Sequence, residues 1–260
     1  MKIIVCIKQV PDTTEIKLDP KTGTLIRDGV PSIMNPDDKG GLETALRLKD
    51  EYNAHITVIS MGPPQAENIL REALAMGVDR AILLSDRKFA GADTLATSHA
   101  LAGALSTLEY DLIIAGRQAI DGDTAQVGPQ VAEFLGLPQV SYLEDLQFDG
   151  KKTFTIRKQT EEGYQRLQVD APCLVTVLAS ACKARYMSVG GIMKAFAQEV
   201  EVWGADKLNV DESHLGLKGS PTKVKKAFPK GAKSAGQVYE VDDYEAATLI
   251  LNKLKEKYII

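Results

Sequence analysis

The stretch YDLIIAGRQAIDGDTAQVG, residues Tyr110–Gly128, decides how this chain folds. Its first part, YDLIIA, is short, apolar and β-rich, as a strand buried on both faces of a parallel sheet would be. Beyond it, Val127, Val131, Phe134 and Leu135 fall on one helical face, which Gly136 closes. Between strand and helix lies a loop of small and polar residues. From Gly116 to Gly128 it holds three glycines, the carboxylates of Asp121 and Asp123, and the guanidinium of Arg117.

The same alternation runs outward in both directions. Residues 2–8 (KIIVCIK) read as a first buried strand. A long connection from Pro11 to Lys39 follows, with a small hairpin turn at Asp28-Gly29. Leu42, Ala45, Leu46 and Lys49 mark a helix from Gly41, and HITVIS a second strand. Ile69, Ala73 and Met76 mark a helix stopped by Gly77, and RAILLS a third strand. DTLATSHALAGALSTL is a helix with Asp93 or Thr94 at its cap. Strand and helix alternate to about residue 145, which predicts an α/β fold: a doubly wound, Rossmann-like parallel sheet with right-handed crossovers. Segments 147–158 and 164–178, joined by a polar turn, predict an antiparallel extension of that sheet. Residues 183–235 read as irregular apart from a short helix near 190–197, and 242–258 as a terminal helix.

In such a sheet, ligands bind beyond the carboxyl ends of the strands where strand order reverses. The end of the first strand, Ile7-Lys8-Gln9, and Gly116 at the end of YDLIIA would face each other across a nucleotide. On this reading Gly122 takes a positive φ and exposes successive N–H groups. Thr124 to Val127 form a first helical turn with free amides at the positive end of the helix dipole, a phosphate site. Ala125 and Gly128 leave room for close approach, and Asp123 and Gln126 have capping-box spacing. Asp121 and Asp123 would repel a phosphate, so they are expected on backbone amides or ribose hydroxyls. Arg117 neutralises a phosphate or makes an exposed salt bridge. An ordinary βα loop with a good cap fits the spacing equally well, because there is neither a P-loop nor a GxGxxG here.

Composition narrows the function classes. The net charge of −4 and aromatic content of 6% give no overall case for nucleic acid. Cys6, Cys173 and Cys182 form no CxxC pair, and His55, His99 and His214 lack metal-ligand spacing. No metal site, no disulfide framework and no membrane span are expected, and a reduced, cytoplasmic compartment fits best. No Ser/His/Asp or Cys/His arrangement stands out, so no catalytic side chain is assigned.

Longer stretches resemble one family. VCIKQVPDT at 5–13, MNPDDKGGLETALRLK at 34–49, MGPPQAENILREALAMGVDRA at 61–81 and GRQAIDGDTAQVGPQVAEFLGLPQ at 116–139 are similar, in order and spacing, to the β subunit of electron-transfer flavoproteins. EEGYQRLQVDAPCLVTV at 161–177 looks like that family's signature, and RYMSVGGIMKA at 185–195 like its partner-recognition loop. The resemblance implies an adenine-nucleotide-binding domain over 1–183, a recognition loop and linker over 184–235, and a C-terminal arm, 236–260, docking on the larger α subunit. It implies either AMP in a structural role or, in the bifurcating subfamily, a second FAD that takes hydride from NADH. That FAD would send electrons to ferredoxin or flavodoxin and, through the α-subunit FAD, to a dehydrogenase of the acyl-CoA or lactate type. Such a chain is an electron-transfer subunit and not a stand-alone enzyme. DGDTAQVGP and GADTLATS at 91–98 are similar to the bifurcating form.

Carried over, the nucleotide contacts are Cys6, Asn35, Pro36, Asp37, Asp38, Met61, Thr94, Thr97, Gly116, Arg117, Gln118, Asp121, Gly122, Asp123, Thr124, Ala125, Gln126 and Val127. The partner contacts are Val189, Ile192 and Met193. The chain departs from the family at Glu162, where Asp or a small residue is usual. It departs again at Val189-Gly190-Gly191, where the family anchors a leucine, and at FAQEVEV, where it has lysines. The acid-free run with Lys218, Lys223, Lys225, Lys226, Lys230 and Lys233 reads as a solvated linker or a docking arm.

Overall fold

Strand pairing puts the quoted stretch in the middle of a nine-stranded sheet. The computed structural model describes residues 1–12, 17–18, 25–26, 31–222 and 236–260. The Asp28-Gly29 turn and all of the lysine run except Lys218 lie outside those residues. The chain divides into two units, Met1–Lys226 and Ala227–Ile260.

In chain order the strands are β1 (Lys2–Cys6), β2 (Gln9–Pro11), β3 (Lys17–Leu18), β4 (Leu25–Ile26), β5 (Ser32–Met34), β6 (His55–Met61), β7 (Arg80–Leu84), β8 (Leu112–Gly116), β9 (Gln139–Phe148), β10 (Thr153–Thr160), β11 (Gly163–Asp170), β12 (Cys173–Val177) and β13 (Glu201–Trp203). The α-helices are α1 (Pro36–Tyr52), α2 (Glu67–Met76), α3 (Thr94–Leu105), α4 (Val127–Leu135), α5 (Val189–Ala197) and α6 (Asp243–Glu256). The large sheet runs β11-β10-β9-β12-β8-β1-β6-β7-β13, parallel from β9 to β13 and antiparallel across β9, β10 and β11. The chain builds outward from β1 to β6 and β7, then returns to lay β8 on the other side of β1. Strand order therefore reverses between β1 and β8, the switch point where ligands bind.

Alternating side chains divide the core between the two faces of the sheet. Ile3, Val5, Ile56, Val58 and Ile114 pack with Leu42, Leu46, Leu70 and Ala195 of α1, α2 and α5. Ile4, Ile59, Ile82 and Ile113 pack with Leu101, Leu105, Val131 and Ala132 of α3 and α4.

Three expectations need correction. The run 164–178 is not one strand paired with 147–158. The antiparallel hairpin is β10 with β11, and the chain then breaks near Pro172, which has no N–H to give a ladder. Its last part, β12, is a separate parallel strand inserted between β8 and β9. The helix expected from Gly41 starts five residues earlier, with Pro36 in the first turn. The stretch 183–235, expected to be irregular apart from its short helix, also contributes β13, which pairs with β7.

In the second unit, α6 is capped by Asp242, whose carboxylate accepts from the amides of Tyr244 and Glu245 at 2.9 Å. Tyr244, Ile250 and Leu251 stand exposed on it.

Candidate functional site

The carboxyl edge of β1 and β8 is built differently on its two sides. On the α1 side, the segment Asn35–Asp38 carries three buried polar side chains that serve the protein's own backbone. Asp38 accepts from the Lys8 amide at 2.7 Å and from the Gly116 amide at 3.0 Å, one oxygen each. It thus ties the ends of the two strands together. Gly116 permits this: a Cβ there would lie 2.1 Å from Asp38 Oδ1. Asn35 precedes α1 yet does not cap it through its side chain. Its amide donates to the Gln118 carbonyl at 2.8 Å, and its Oδ1 accepts from the Ile120 amide at 3.1 Å. Asp37 accepts from the Ala179 amide at 2.8 Å. The Arg117 Nε sits 3.2 Å from its other oxygen, off-line for a hydrogen bond. Arg117 thus forms an ion pair with a carboxylate.

Burial sets the electrostatics here. Loss of solvent pushes the Asp38 carboxyl up to about 7, with the charge of Asp37 adding, against the hydrogen bonds that favour the anion. Desolvation, with a smaller push from Asp38, raises the Cys6 thiol to about 12, so it stays a neutral thiol.

On the α4 side the backbone donors are left over. Gly122 and Asp123 both donate to the Ala119 carbonyl, at 3.2 and 2.8 Å. Asp123 then takes φ 52° and Ala125 φ 53°. Gln126, at φ −104° and ψ −32°, is the N-cap of α4 and offers no side-chain cap. A left-handed residue followed by a right-handed one turns successive N–H groups to the same side, an anion-binding nest. None of the amides of residues 124–128 finds an acceptor among the described residues.

This corrects the expected geometry. The left-handed positions are Asp123 and Ala125, while Gly122 does not have a positive φ. Thr124 to Gln126 precede the helix and do not form its first turn. Asp123 and Gln126 make no capping box, because Asp123 accepts from the Gln118 side-chain amide. Gly128 serves packing: a Cβ there would meet Thr176 Cγ2 at 2.5 Å. The repulsion expected from Asp121 is relieved by a residue the sequence reading did not select. Lys8 Nζ lies 2.7 and 2.8 Å from the two Asp121 oxygens, across the switch point.

The helix start at α3 closes the same side. Asp93 caps α3 by accepting from the Ala96 amide at 3.0 Å. Thr94 donates to the Gln126 side chain at 2.9 Å, and Ser98 to that of Gln130 at 2.9 Å. The N-termini of α3 and α4 are thereby laced together around the nest. Cys6 and Met61, at the ends of β1 and β6, are partly buried on this same face of the sheet. Thr97 lies in the first turn of α3, half-buried. The structure therefore brings Cys6, Met61, Thr94, Thr97 and 121–127 to one side of the carboxyl edge. Asn35, Asp37, Asp38 and Arg117 are bracing on the other.

A family model described as the electron transfer flavoprotein domain matches residues 22–208. The chain belongs to the electron transfer flavoprotein family. It is 58% identical over 260 residues, all of both chains, to the electron transfer flavoprotein subunit beta of Clostridium acetobutylicum. It is 51% identical over 263 residues, again the whole of both, to the caffeyl-CoA reductase-Etf complex subunit CarD of Acetobacterium woodii. It is 42% identical over 269 residues, also end to end, to the acryloyl-CoA reductase electron transfer subunit gamma of Anaerotignum propionicum.

In this electron transfer flavoprotein chain a second surface stands out on α5. Val189 and Met193, with Phe196, are among its most exposed large apolar side chains, and Ile192 is partly covered. The helix is nonetheless well mounted. Ser188 caps it by accepting from the Gly191 amide at 2.9 Å. Gly191 lets it close on α2, since a Cβ there would lie 2.2 Å from the Ala75 carbonyl oxygen. His99 and His214 stack with ring centroids 4.6 Å apart, yet among the described residues no group of three or more possible metal ligands forms. No helix among the described residues is long and apolar enough to cross a membrane.

Proposed function

We propose that the α4 side of the switch point holds the diphosphate of an FAD, and that the chain is the β subunit of a bifurcating electron transfer flavoprotein. The observation that carries this reading is the run of five main-chain N–H groups, 124–128, left without acceptors at a left-handed turn. Two converging helix N-termini add their positive ends. The residues fit an acidic linkage: small side chains at Ala125 and Gly122, amides aimed outward, and the two nearby carboxylates engaged within the protein, Asp121 by Lys8 and Asp123 by the Gln118 side-chain amide. Beside Gly122, which is exposed, nothing lies within 4 Å of where a Cβ would lie, so no protein atom obstructs a ligand approaching the loop there.

When bound, the FAD supplies hydride acceptance from NADH and delivery of two electrons along separate routes, one to ferredoxin or flavodoxin and one through the α-subunit FAD. The chain's own part is positional. Lys8 takes up the charge of Asp121, the nest and the helix N-termini hold the diphosphate, and Thr94 and Gln126 hold the helix starts together. Asn35 and Asp38 fix the loop from beneath. Met61 and the neutral Cys6 present a soft apolar floor. The α5 face docks the FAD-dependent dehydrogenase, and the α subunit and the cytoplasm complete the setting. Support for the dehydrogenase comes from the two relatives named for CoA-ester reductases.

Release of nucleotides from the denatured heterodimer tests the proposal. Two FAD per heterodimer is expected. One FAD with one AMP would replace it with the structural-nucleotide form, for which the nest serves a single phosphate equally well.

A further inference from the structure

The segment 178–188 carries the chain from the carboxyl end of β12 to the start of α5, and it is fastened along α1. At the first fastening the Ala179 amide is held by Asp37. Gly40 allows close contact there, its Cβ position lying 3.1 Å from the Leu178 oxygen. One turn on, the Cys182 sulfur receives Arg47 Nη1 at 3.2 Å and lies 3.5 Å from Thr44 Oγ1. The last fastening is the strongest. Arg185 donates to Glu43 from its main-chain N–H at 3.0 Å, from Nε at 3.0 Å and from Nη2 at 3.0 Å. Nη2 reaches Asp50 as well, at 2.7 Å. Glu43 is only 5% exposed, so this fork supplies the hydrogen bonds that its oxygens lose with water. At the far end of α5, Arg71 Nη1 donates to the Ala195 carbonyl at 2.8 Å.

We propose that Glu43, acting through Arg185, is a positioning residue for partner recognition: it fixes the entry of α5 so that Val189, Met193 and Phe196 form a preformed apolar patch for the dehydrogenase. The inference rests on the reading of α5 as the dehydrogenase-facing helix. A fork onto a buried carboxylate removes conformations from the free protein that docking would otherwise have to remove, and so tightens binding without touching the partner. Asp50 is mostly exposed and adds little.

The test uses the holo heterodimer, with a purified acyl-CoA dehydrogenase as electron acceptor. Glu43→Gln keeps the shape but loses the charge, and Arg185→Lys keeps the charge but loses the fork. Both are expected to raise the KM for the dehydrogenase about tenfold while kcat stays within about twofold. Bound nucleotide and the flavin spectrum should be unchanged, and amide exchange over 186–197 should quicken. Asp50→Asn should move KM less than about twofold. If Glu43→Gln does not assemble, Arg185→Lys decides alone. An unchanged KM in these variants, or a fall in kcat with lost flavin at constant KM, overturns the proposal. Met193→Lys separates the two layers. If it raises KM while the clamp variants do not, only the positioning role fails. If it too leaves KM unchanged, the docking reading itself has failed.

Discussion

The two sides of one carboxyl edge use opposite economies of hydrogen bonding. Beneath the switch point, Asn35, Asp37 and Asp38 direct their oxygens to the chain's own amides. Above it, the amides of 124–128 are left without acceptors. Buried polar groups must be partnered, and the first side obeys that rule except at Asp37 Oδ2 and Arg117 Nε, which meet as an ion pair without a hydrogen bond. The second side falls outside the rule over most of its length, because residues 121–127 are open to solvent or a ligand. The most acidic motif near the site, NPDD, is therefore architecture. The group that would hold the ligand is a main chain carrying side chains with little chemistry of their own.

The largest expected effect probes the architectural side. Asp38→Ala leaves the Lys8 and Gly116 amides without their acceptor in a buried place, which costs about 3 kcal/mol in total. At roughly 2–4 °C per kcal/mol for a chain of this size, thermal unfolding of the heterodimer should shift down by about 10 °C. A shift within the error of the wild-type transition would mean that the ends of β1 and β8 are held by something else. The same carboxyl gives the contrast a pH signature. Its folded value, about 7, lies above the unfolded one. Its stabilising contribution is therefore fully present below the unfolded value, about 4, and is lost as pH rises through the folded value. Measured against Asp38→Asn, wild type should lose about 2 kcal/mol between pH 5 and pH 7. A gap that widens over this interval would reverse the sign of the burial effect.

The next effect belongs to the ligand side and should appear in nucleotide content more than in stability. Ala125→Val places a β-branched side chain at φ 53°, where such residues are outliers. The turn should relax and its N–H groups diverge. Nucleotide affinity should fall at least about tenfold, as judged by acid release from the purified complex, because several charge-assisted bonds go together. Ala125→Gly keeps the turn and should retain full nucleotide. If the valine variant retains it as well, the nest is not where the diphosphate lies.

Much of the fold was legible, for a local reason. Helix ends at Gly77 and Gly136 coincide with left-handed C-caps, and the alternation of apolar strands with amphipathic helices carries the doubly wound class. What local pattern does not carry is partnership. Nothing in CLVTV says that it inserts between β8 and β9. The start of α1 was hidden because Asp37, Asp38 and Lys39 give no apolar period, though Asn35-Pro36 holds the signal of a proline in the first turn. The loop shape was hidden more deeply. It is set by Asn35 acting on Gln118 and Ile120, and by Lys8 acting on Asp121, contacts distant in sequence. The left-handed strain thus fell on Asp123 and Ala125 and spared the glycine that would have taken it most cheaply.

The smallest effect is the sharpest test of that last point. Gly122 is exposed, lies outside the left-handed region, and would have no atom within 4 Å of an added Cβ. Gly122→Ala should therefore change stability by less than about 0.5 kcal/mol, with any gain coming from a less flexible unfolded chain. Nucleotide affinity should stay within about threefold, since a methyl group in open space breaks no charge-assisted bond. Only two residues lie between this position and Ala125, and both substitutions only enlarge a small side chain. Backbone conformation is what differs between them. Should the two variants lose nucleotide to the same degree, crowding by any side chain in the loop would explain both. The division between a left-handed nest and a permissive glycine beside it would then collapse.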